Sequence, residues 1–267
     1  MTDGHAVLFK DSTGRPVRGS DRQRGIDRAI QLLEVLQAEG RPMTAGELAR
    51  AMEAPRSTVY EIVARLTAAQ MLEAVGDSGR LFFGRAMHLY GAAYLRRDAG
   101  MRRIGEALDA LSAATGSTVQ LCALKGDKYV VLDCRDGAGA FRITSEIGSA
   151  VPLPWTASGR LLVGHLSDAA IRAFIPPADF RLPSGRSYPV DSFLHEVAEA
   201  RTDGFSETTG LASSFTWCQA VRIVGRGGPA EFTLCFVLPI DTAAEHRARC
   251  LTLLRTQAAL LGRRDGI

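Results

Sequence analysis

Several things are missing from this chain, and each absence narrows its class. No apolar run in its 267 residues approaches the ~20 that a membrane-spanning helix needs, so no membrane partner is expected. The first 25 residues hold no long apolar core of the signal-peptide kind, which predicts a cytoplasmic protein. The five cysteines (Cys122, Cys134, Cys218, Cys235 and Cys250) are odd in number and form no Cys-x-x-Cys pair. That pattern excludes a disulfide framework and points to reduced, mostly buried thiols rather than a metal or redox centre. There is no Gly-x-Ser-x-Gly elbow, no His-Glu-x-x-His and no phosphate loop, and Gly137-x-Gly139 lacks the third glycine of a dinucleotide fingerprint. The histidines at 5, 88, 165, 195 and 246 are scattered. No catalytic residue, metal or cofactor is expected. The enzyme alternative is an unrecognised activity, for instance one using Cys218.

Charge of one sign is scarce as well. The net charge is +3, and residues 1–97 carry all of it, with 14 Lys/Arg against 11 Asp/Glu. Residues 98–267 carry 18 of each. A modest basic bias confined to one end suits a nucleic-acid footprint.

What is present centres on residues 43–83. Thr44 and Glu47 form a capping pair at a helix start. Leu48 and Met52 follow at helical spacing, Glu53-Ala54-Pro55 breaks the run, and a second helix should begin near Pro55. Val59, Ile62, Val63 and Leu66 mark its core face. Arg56, Ser57, Thr58, Tyr60, Glu61 and Arg65 occupy the other face, which suits phosphates and base edges. Residues 72–75 and 80–83 around Gly76-Asp77-Ser78-Gly79 read as a hairpin, with Arg80 within reach of a DNA backbone or minor groove. A helix capped by Asp21 and running to about Glu39, with Ile26, Ile30, Leu33 and Leu36 inward and Gly40 as its stop, completes a three-helix head.

The remaining chain divides readily. Residues 1–20 read as a flexible tail, the alternative being a basic arm in a minor groove. Residues 85–97 read as a helix with Met87, Tyr90 and Tyr94 on one side, suited to packing against a second copy. Gly100 interrupts, and Ile104, Leu108 and Leu111 continue to Gly116. Residues 117–124, 128–135 and 140–147 read as antiparallel strands. Thr156 caps a helix opening Ala157-Ser158-Gly159 and continuing through Leu161, Leu162 and His165; its open amides suit an anion. Asp168 opens a short helix, and residues 178–190 form a loop. Asp191 caps a helix carrying Leu194, Val197 and Ala198. Residues 205–216 are polar and unassigned. Residues 217–224 and 231–240 are strands around a Gly225–Pro229 turn. Thr242 and Glu245 cap a last helix carrying Ala248, Leu251, Leu254, Ala258 and Leu261. The domains are thus a tail (1–20), a winged helix-turn-helix (21–84), a linker helix (85–99) and an α+β domain with an antiparallel sheet (100–262).

From about Arg24 to Leu261 this order resembles the IclR-type one-component transcriptional regulators. The resemblance rests on Thr44-Ala-Gly-Glu47-Leu48-Ala49, on Pro55-Arg56-Ser57-Thr58-Val59-Tyr60, and on Phe83-Gly84 before Leu89-Tyr90-Gly91. In the second half it rests on Val151-Pro152-Leu153, Thr156-Ala157-Ser158-Gly159-Arg160 and Gly204-Phe205-Ser206. It implies a GAF-like effector-binding body for a small organic acid or aromatic molecule. It also implies a homodimer or homotetramer on a palindromic DNA operator. The implied effector site lies beside Trp155, Thr156, Ala157, Ser158 and Gly159, facing Ser213, Ser214, Thr216, Trp217 and Gln219; the alternative makes the two tryptophans core aromatics. Glu53 stands where the family commonly has Gly, Pro154-Trp155 where it often has His, and Cys218-Gln219-Ala220-Val221 where an Ala-Pro-Val-like run is usual. The remaining alternative is a ligand-binding module whose winged helix meets protein rather than DNA.

Overall fold

Hydrophobic period changes from helical to alternating three times along the chain, and element boundaries follow those changes in the computed structural model. It describes residues 21–138, 147–223 and 231–263. The expected tail, the strand expected over 140–147 except its last residue, and the turn at 225–229 lie outside the described residues. The chain divides into two compact units, Met1–Tyr94 and Leu95–Ile267.

In the first unit, α1 (Asp21–Glu39) stops at Gly40, whose φ of 61° is a left-handed conformation that glycine takes freely. Its inward stripe is Leu32 and Leu36, flanked by Ala29, Leu33 and Val35. Two overlapping helical stripes exist in this sequence, and the one running through Ile26 is not the buried one: Ile26 is 64% exposed. α2 (Ala45–Ala51) and α3 (Arg56–Ala68) meet across a turn in which Glu53 takes φ 49°. Left-handed backbone costs a side-chain-bearing residue about 1–2 kcal/mol, which is the physical reason glycine suits that position. Val59 and Ile62 anchor α3 in the core, with Val63 and Leu66 partly buried beside them. β1 (Leu72–Val75) pairs antiparallel with β2 (Arg80–Phe83), with Gly76 and Gly79 in the turn. Met43 bridges to Leu81, tying the start of α2 to the hairpin.

The α2 start is a complete capping box. The Thr44 amide donates to Glu47 Oε2 at 2.7 Å, and Thr44 Oγ1 accepts from the Glu47 amide at 3.2 Å. These Thr44 contacts first, then Arg41 and Arg80, lower the Glu47 carboxyl from 4.5 to about 2. A carboxyl depressed by folding contributes stability above its unfolded value and loses it as pH falls through the folded one. In circular-dichroism melts, wild type should therefore exceed Glu47→Gln by its full margin at neutral pH. That margin should shrink between pH 4.5 and about 2. A margin unchanged over that window would show that the charge contributes nothing.

α4 (Arg85–Arg97) follows Gly84, where an added Cβ would lie 2.3 Å from the Gln70 carbonyl oxygen. Leu89, Tyr90, Tyr94 and Leu95 are exposed along it.

In the second unit, α5 (Ala99–Thr115) begins one residue after Asp98, whose side chain accepts from the Met101 amide at 2.9 Å. The break therefore falls at Asp98, and Gly100 is a buried residue inside the helix. β3 (Thr118–Lys125) and β4 (Lys128–Arg135) form a hairpin, followed by β5 (Ala150–Pro152) and a 3-10 turn, Leu153–Trp155. α6 (Ala157–Leu162) is shorter than its sequence pattern, ending before His165 because Val163-Gly164 closes it. α7 (Asp168–Phe174) is capped by Ser167, and a 3-10 turn, Pro177–Phe180, occupies part of the expected loop. α8 (Val190–Asp203) has Pro189 at its cap; Asp191 sits in the first turn and pairs with Arg172. Phe193 and Ala200, rather than Ala198, complete its buried stripe.

β6 (Phe205–Thr209) forms from the polar stretch that sequence leaves unassigned. It is an edge strand, and pairing with β7 (Thr216–Ile223) stabilises it where propensity does not. β8 (Phe232–Pro239) and α9 (Ala244–Arg263) complete the unit. Thr242 is not the cap of α9; its hydroxyl donates to the Pro239 carbonyl at 2.7 Å. Cys250 takes the buried position on α9 that the pattern gives to Ala248.

The six strands are ordered β5-β4-β3-β8-β7-β6, with all neighbours antiparallel. Alternation divides the sheet between two cores. Val119, Leu121, Val221, Leu234 and Phe236 pack with Ile104, Leu108 and Leu111 of α5 and Leu254 of α9. Cys122, Tyr129, Val131, Ala220 and Cys235 pack with Leu161 of α6 and Phe193 and Val197 of α8. The register shift between Leu121 and Cys122 leaves Leu132 of β4 without a partner, so β4 turns odd positions (Tyr129, Val131) to the α6/α8 core before it and an even one (Cys134) after it.

Candidate functional site

The first candidate surface is the outward side of α3. Arg56, Ser57, Tyr60 and Arg65 are exposed, Tyr60 by 56%, and Thr58 is half-buried. Burial of Val59 and Ile62 on the opposite side fixes which residues point out. Arg65 pairs with Glu61 at 2.8 Å in an exposed i,i+4 contact. Such a pair is worth little, so a phosphate can replace its carboxylate. Arg80 stands differently from its sequence expectation as an outlying contact. Its Nη1 donates to the Pro42 carbonyl at 3.0 Å and to Glu47 Oε2 at 3.2 Å, so it holds the hairpin against the start of α2.

The second candidate is a cavity of about 290 Å³ on the α6 side of the sheet. Trp155, Thr156, Ala157 and Ser158 form one wall, and Ser213 and Thr216 another. Tyr129, Val131, Cys218, Cys235 and Val237 supply the strand wall. Six of the ten residues expected at the effector site thus come together. Trp217 and Gln219 do not: odd positions of β7 face the α5/α9 core, where Arg247 stacks 3.7 Å from the Trp217 ring centroid. The Gln219 amide donates to Glu207 at 2.6 Å. Ser214 does not line the cavity, and Gly159 lies behind the wall. The Gly159 amide is spent on Thr156 Oγ1 at 3.0 Å, so it is not an open anion donor. The strand residues were missed because they enter through sheet order; the alternation of Thr216 and Cys218 with Trp217 was the signal for β7.

The cavity wall is braced from behind. Arg160, 1% exposed, donates to the Thr156 carbonyl at 2.7 Å, to Glu196 at 2.6 Å and to the Tyr188 hydroxyl at 2.9 Å. The Tyr188 hydroxyl donates onward to Glu196. Trp155 is oriented by its own indole N–H, which donates to the Asp179 carbonyl at 2.8 Å. At the strand wall the Tyr129 hydroxyl donates to Gln120 at 2.6 Å, and burial pushes its phenol well above the ordinary value. No Lys, Arg, His, Asp or Glu is among the described lining residues.

A winged helix-turn-helix followed by an α+β body holding a small-molecule-sized cavity is the build of a one-component transcription factor. The comparisons agree. The IclR helix-turn-helix domain profile matches residues 25–76, and the profile for the bacterial transcriptional regulator IclR C-terminal domain matches residues 92–260. The chain belongs to the IclR family of transcriptional regulators, with a DNA-binding head and an effector-binding C-terminal domain. It is 27% identical, over 65% of its length and 69% of the relative's, to the probable transcriptional regulator SauR of Cupriavidus necator. An IclR transcriptional regulator from Alicyclobacillus acidocaldarius shares the fold at TM-score 0.81 and 18% identity, over 90% of this chain and 97% of that one. An IclR homologue from Microbacterium hydrocarbonoxydans, solved with 4-hydroxybenzoate, shares it at TM-score 0.74 and 20% identity, over 89% and 97%. Among the described residues no helix is long and apolar enough to cross a membrane.

Proposed function

We propose that α3 is the reading helix and that Arg56, Ser57, Thr58 and Tyr60 contact the operator, with Arg65 an outlying phosphate contact and Arg80 chiefly a brace. The observation that carries this is the clean division of α3 into a buried aliphatic side and an exposed side of hydroxyls and guanidinium groups. Operator fragments recovered by genome-wide footprinting of the native chain supply the probe. Arg56→Ala should weaken its electrophoretic shift by about 1–3 kcal/mol and relax preference at the contacted base pair. Unchanged affinity would remove Arg56 from the interface.

The effector is proposed to occupy the cavity beside Trp155. Apolar walls with hydroxyls from Ser158, Ser213 and Thr216 suit a small aromatic or organic acid. The 4-hydroxybenzoate bound by the Microbacterium relative supports that class. With no cationic side chain in the described lining, a carboxylate here is held by hydroxyls and amides.

The exposed Leu89, Tyr90, Tyr94 and Leu95 of α4 support self-association into a dimer that matches a two-fold operator. Sedimentation as a monomer at micromolar concentration would remove that part. The chain acts in the cytoplasm on DNA, as a regulator under the control of the small molecule in its cavity rather than as an enzyme.

A further inference from the structure

Trp155 stands on one wall of the cavity with its backbone already fixed. Leu153 and Pro154 before it are buried in their 3-10 turn, and Thr156 after it caps α6. The indole itself is half-buried, and rotation about its two side-chain bonds leaves several orientations open to it. An indole has one polar group, a donor. Here that N–H is given to the Asp179 carbonyl at 2.8 Å. Asp179 is not among the described residues that line the cavity. The donor is therefore turned out of the cavity, and ring carbon is what Trp155 presents to a ligand.

The carbonyl that holds the indole is held in turn. It belongs to the 3-10 turn Pro177–Phe180, whose Phe180 ring packs edge-on against Phe193 at 5.8 Å. The Asp179 carboxylate meets Lys128 Nζ at 2.7 Å, with the Asp179 side chain 11% exposed and that of Lys128 28%. Lys128 also meets Asp127 at 3.0 Å. It stands on β4 immediately before Tyr129, which lines the strand wall. One ion pair thus joins the strand wall to the residue that orients the indole. Without the ammonium, a carboxylate with little access to water is left unpaired, which is costly. Its turn toward solvent would carry the Asp179 carbonyl off the indole N–H.

Tyr129 and Trp155 are the two rings in the described lining of this cavity of about 290 Å³. The Tyr129 hydroxyl is committed to Gln120 at 2.6 Å, as the indole N–H is to Asp179. Both side chains therefore offer ring surface rather than donors. Such surface favours a second flat ring, in offset or edge-on contact, beyond the area that both bury.

We propose that the Lys128–Asp179 ion pair sets the specificity of this cavity through Trp155, holding the indole as a platform that selects a flat aromatic effector over an aliphatic acid of the same size. Lys128 and Asp179 are positioning residues, and Trp155 is the one that touches the ligand. The proposal rests on the effector reading of the same cavity and narrows it to one ligand class.

The test compares 4-hydroxybenzoate with 4-hydroxycyclohexanecarboxylate, its saturated-ring counterpart, by isothermal titration calorimetry on the intact chain. Wild type should bind the aromatic acid roughly fivefold more tightly. Trp155→Leu and Lys128→Met should each bring that ratio near one, and Lys128→Arg should restore it. A second readout needs no ligand. In a Trp217→Phe background Trp155 is the sole tryptophan, and the indole N–H removed has no hydrogen-bond partner among the described residues. There, Lys128→Met should lower the fluorescence anisotropy of Trp155 and raise its quenching by acrylamide, and Lys128→Arg should reverse both. An ion pair that only stabilises the fold would lower the melting temperature of Lys128→Met while the ratio and both optical signals stayed at their wild-type values; that result would overturn the proposal. Equal wild-type affinity for the two acids would overturn it as well, while leaving the cavity as the effector site. Binding of neither acid would remove the effector reading and the proposal together.

Discussion

Replacing Glu196 with alanine should destabilise the effector-binding unit by about 3 kcal/mol. The loss follows from what would be left behind. Arg160 is 1% exposed, and Glu196 is its counter-ion. Removing the carboxylate strands a guanidinium away from water with only the Thr156 carbonyl and the Tyr188 hydroxyl as partners. The remaining exposure of Glu196, 36% of its side chain, holds the figure at the lower end of the range for broken buried pairs. Both tryptophans of the chain, Trp155 and Trp217, lie in this unit. Urea titration followed by intrinsic fluorescence therefore reports on it selectively. A paired change, Arg160→Met with Glu196→Leu, should recover much of the loss, since it leaves no charge to bury. A single mutant as stable as wild type would show that the bridge contributes nothing.

Gly159→Ala should be nearly as damaging, by about 1–3 kcal/mol, and should weaken effector binding as well. An added Cβ would lie 2.2 Å from the Leu153 carbonyl oxygen and 2.9 Å from Thr156 Oγ1. The first obstacle is backbone, and the second is a hydroxyl held between the Leu153 carbonyl and the Gly159 amide. The 3-10 turn carrying Trp155 must shift, or α6 must separate from it, and both alternatives move the cavity wall. If the cavity takes the aromatic acids proposed for it, wild-type tryptophan emission should respond saturably to a member of that class, with 4-hydroxybenzoate the first to try. In Gly159→Ala the response should be displaced to much higher concentration or lost. An unaltered titration would mean that the turn does not shape the site.

Where an element is decided locally, its limits are readable from sequence. α3 starts just past Pro55, β1 and β2 flank the glycine turn, and α4 opens after Gly84. β6 is not readable in that way, because Phe-Ser-Glu-Thr-Thr is a strand only by pairing with β7. The candidate effector site divides along the same line. Trp155 through Ser158 are adjacent in sequence and arrive as one wall. Tyr129 and Cys235 arrive because β3 lies between β4 and β8, a long-range arrangement that no local pattern encodes. The misplacement of Trp217 and Gln219 has a simpler cause. Neighbours on a strand cannot share a face with Thr216 and Cys218.

That division of β7 makes it a party wall between two rooms with separate tenants. Its even positions furnish the chamber, and its odd positions are committed to the packing of α5 and α9. Ligand preference can drift through changes at 216 and 218, and at 235 and 237 on β8, while the opposite core keeps its joinery. A library restricted to those four positions would search effector chemistry with little of the collateral misfolding that randomising whole strands brings.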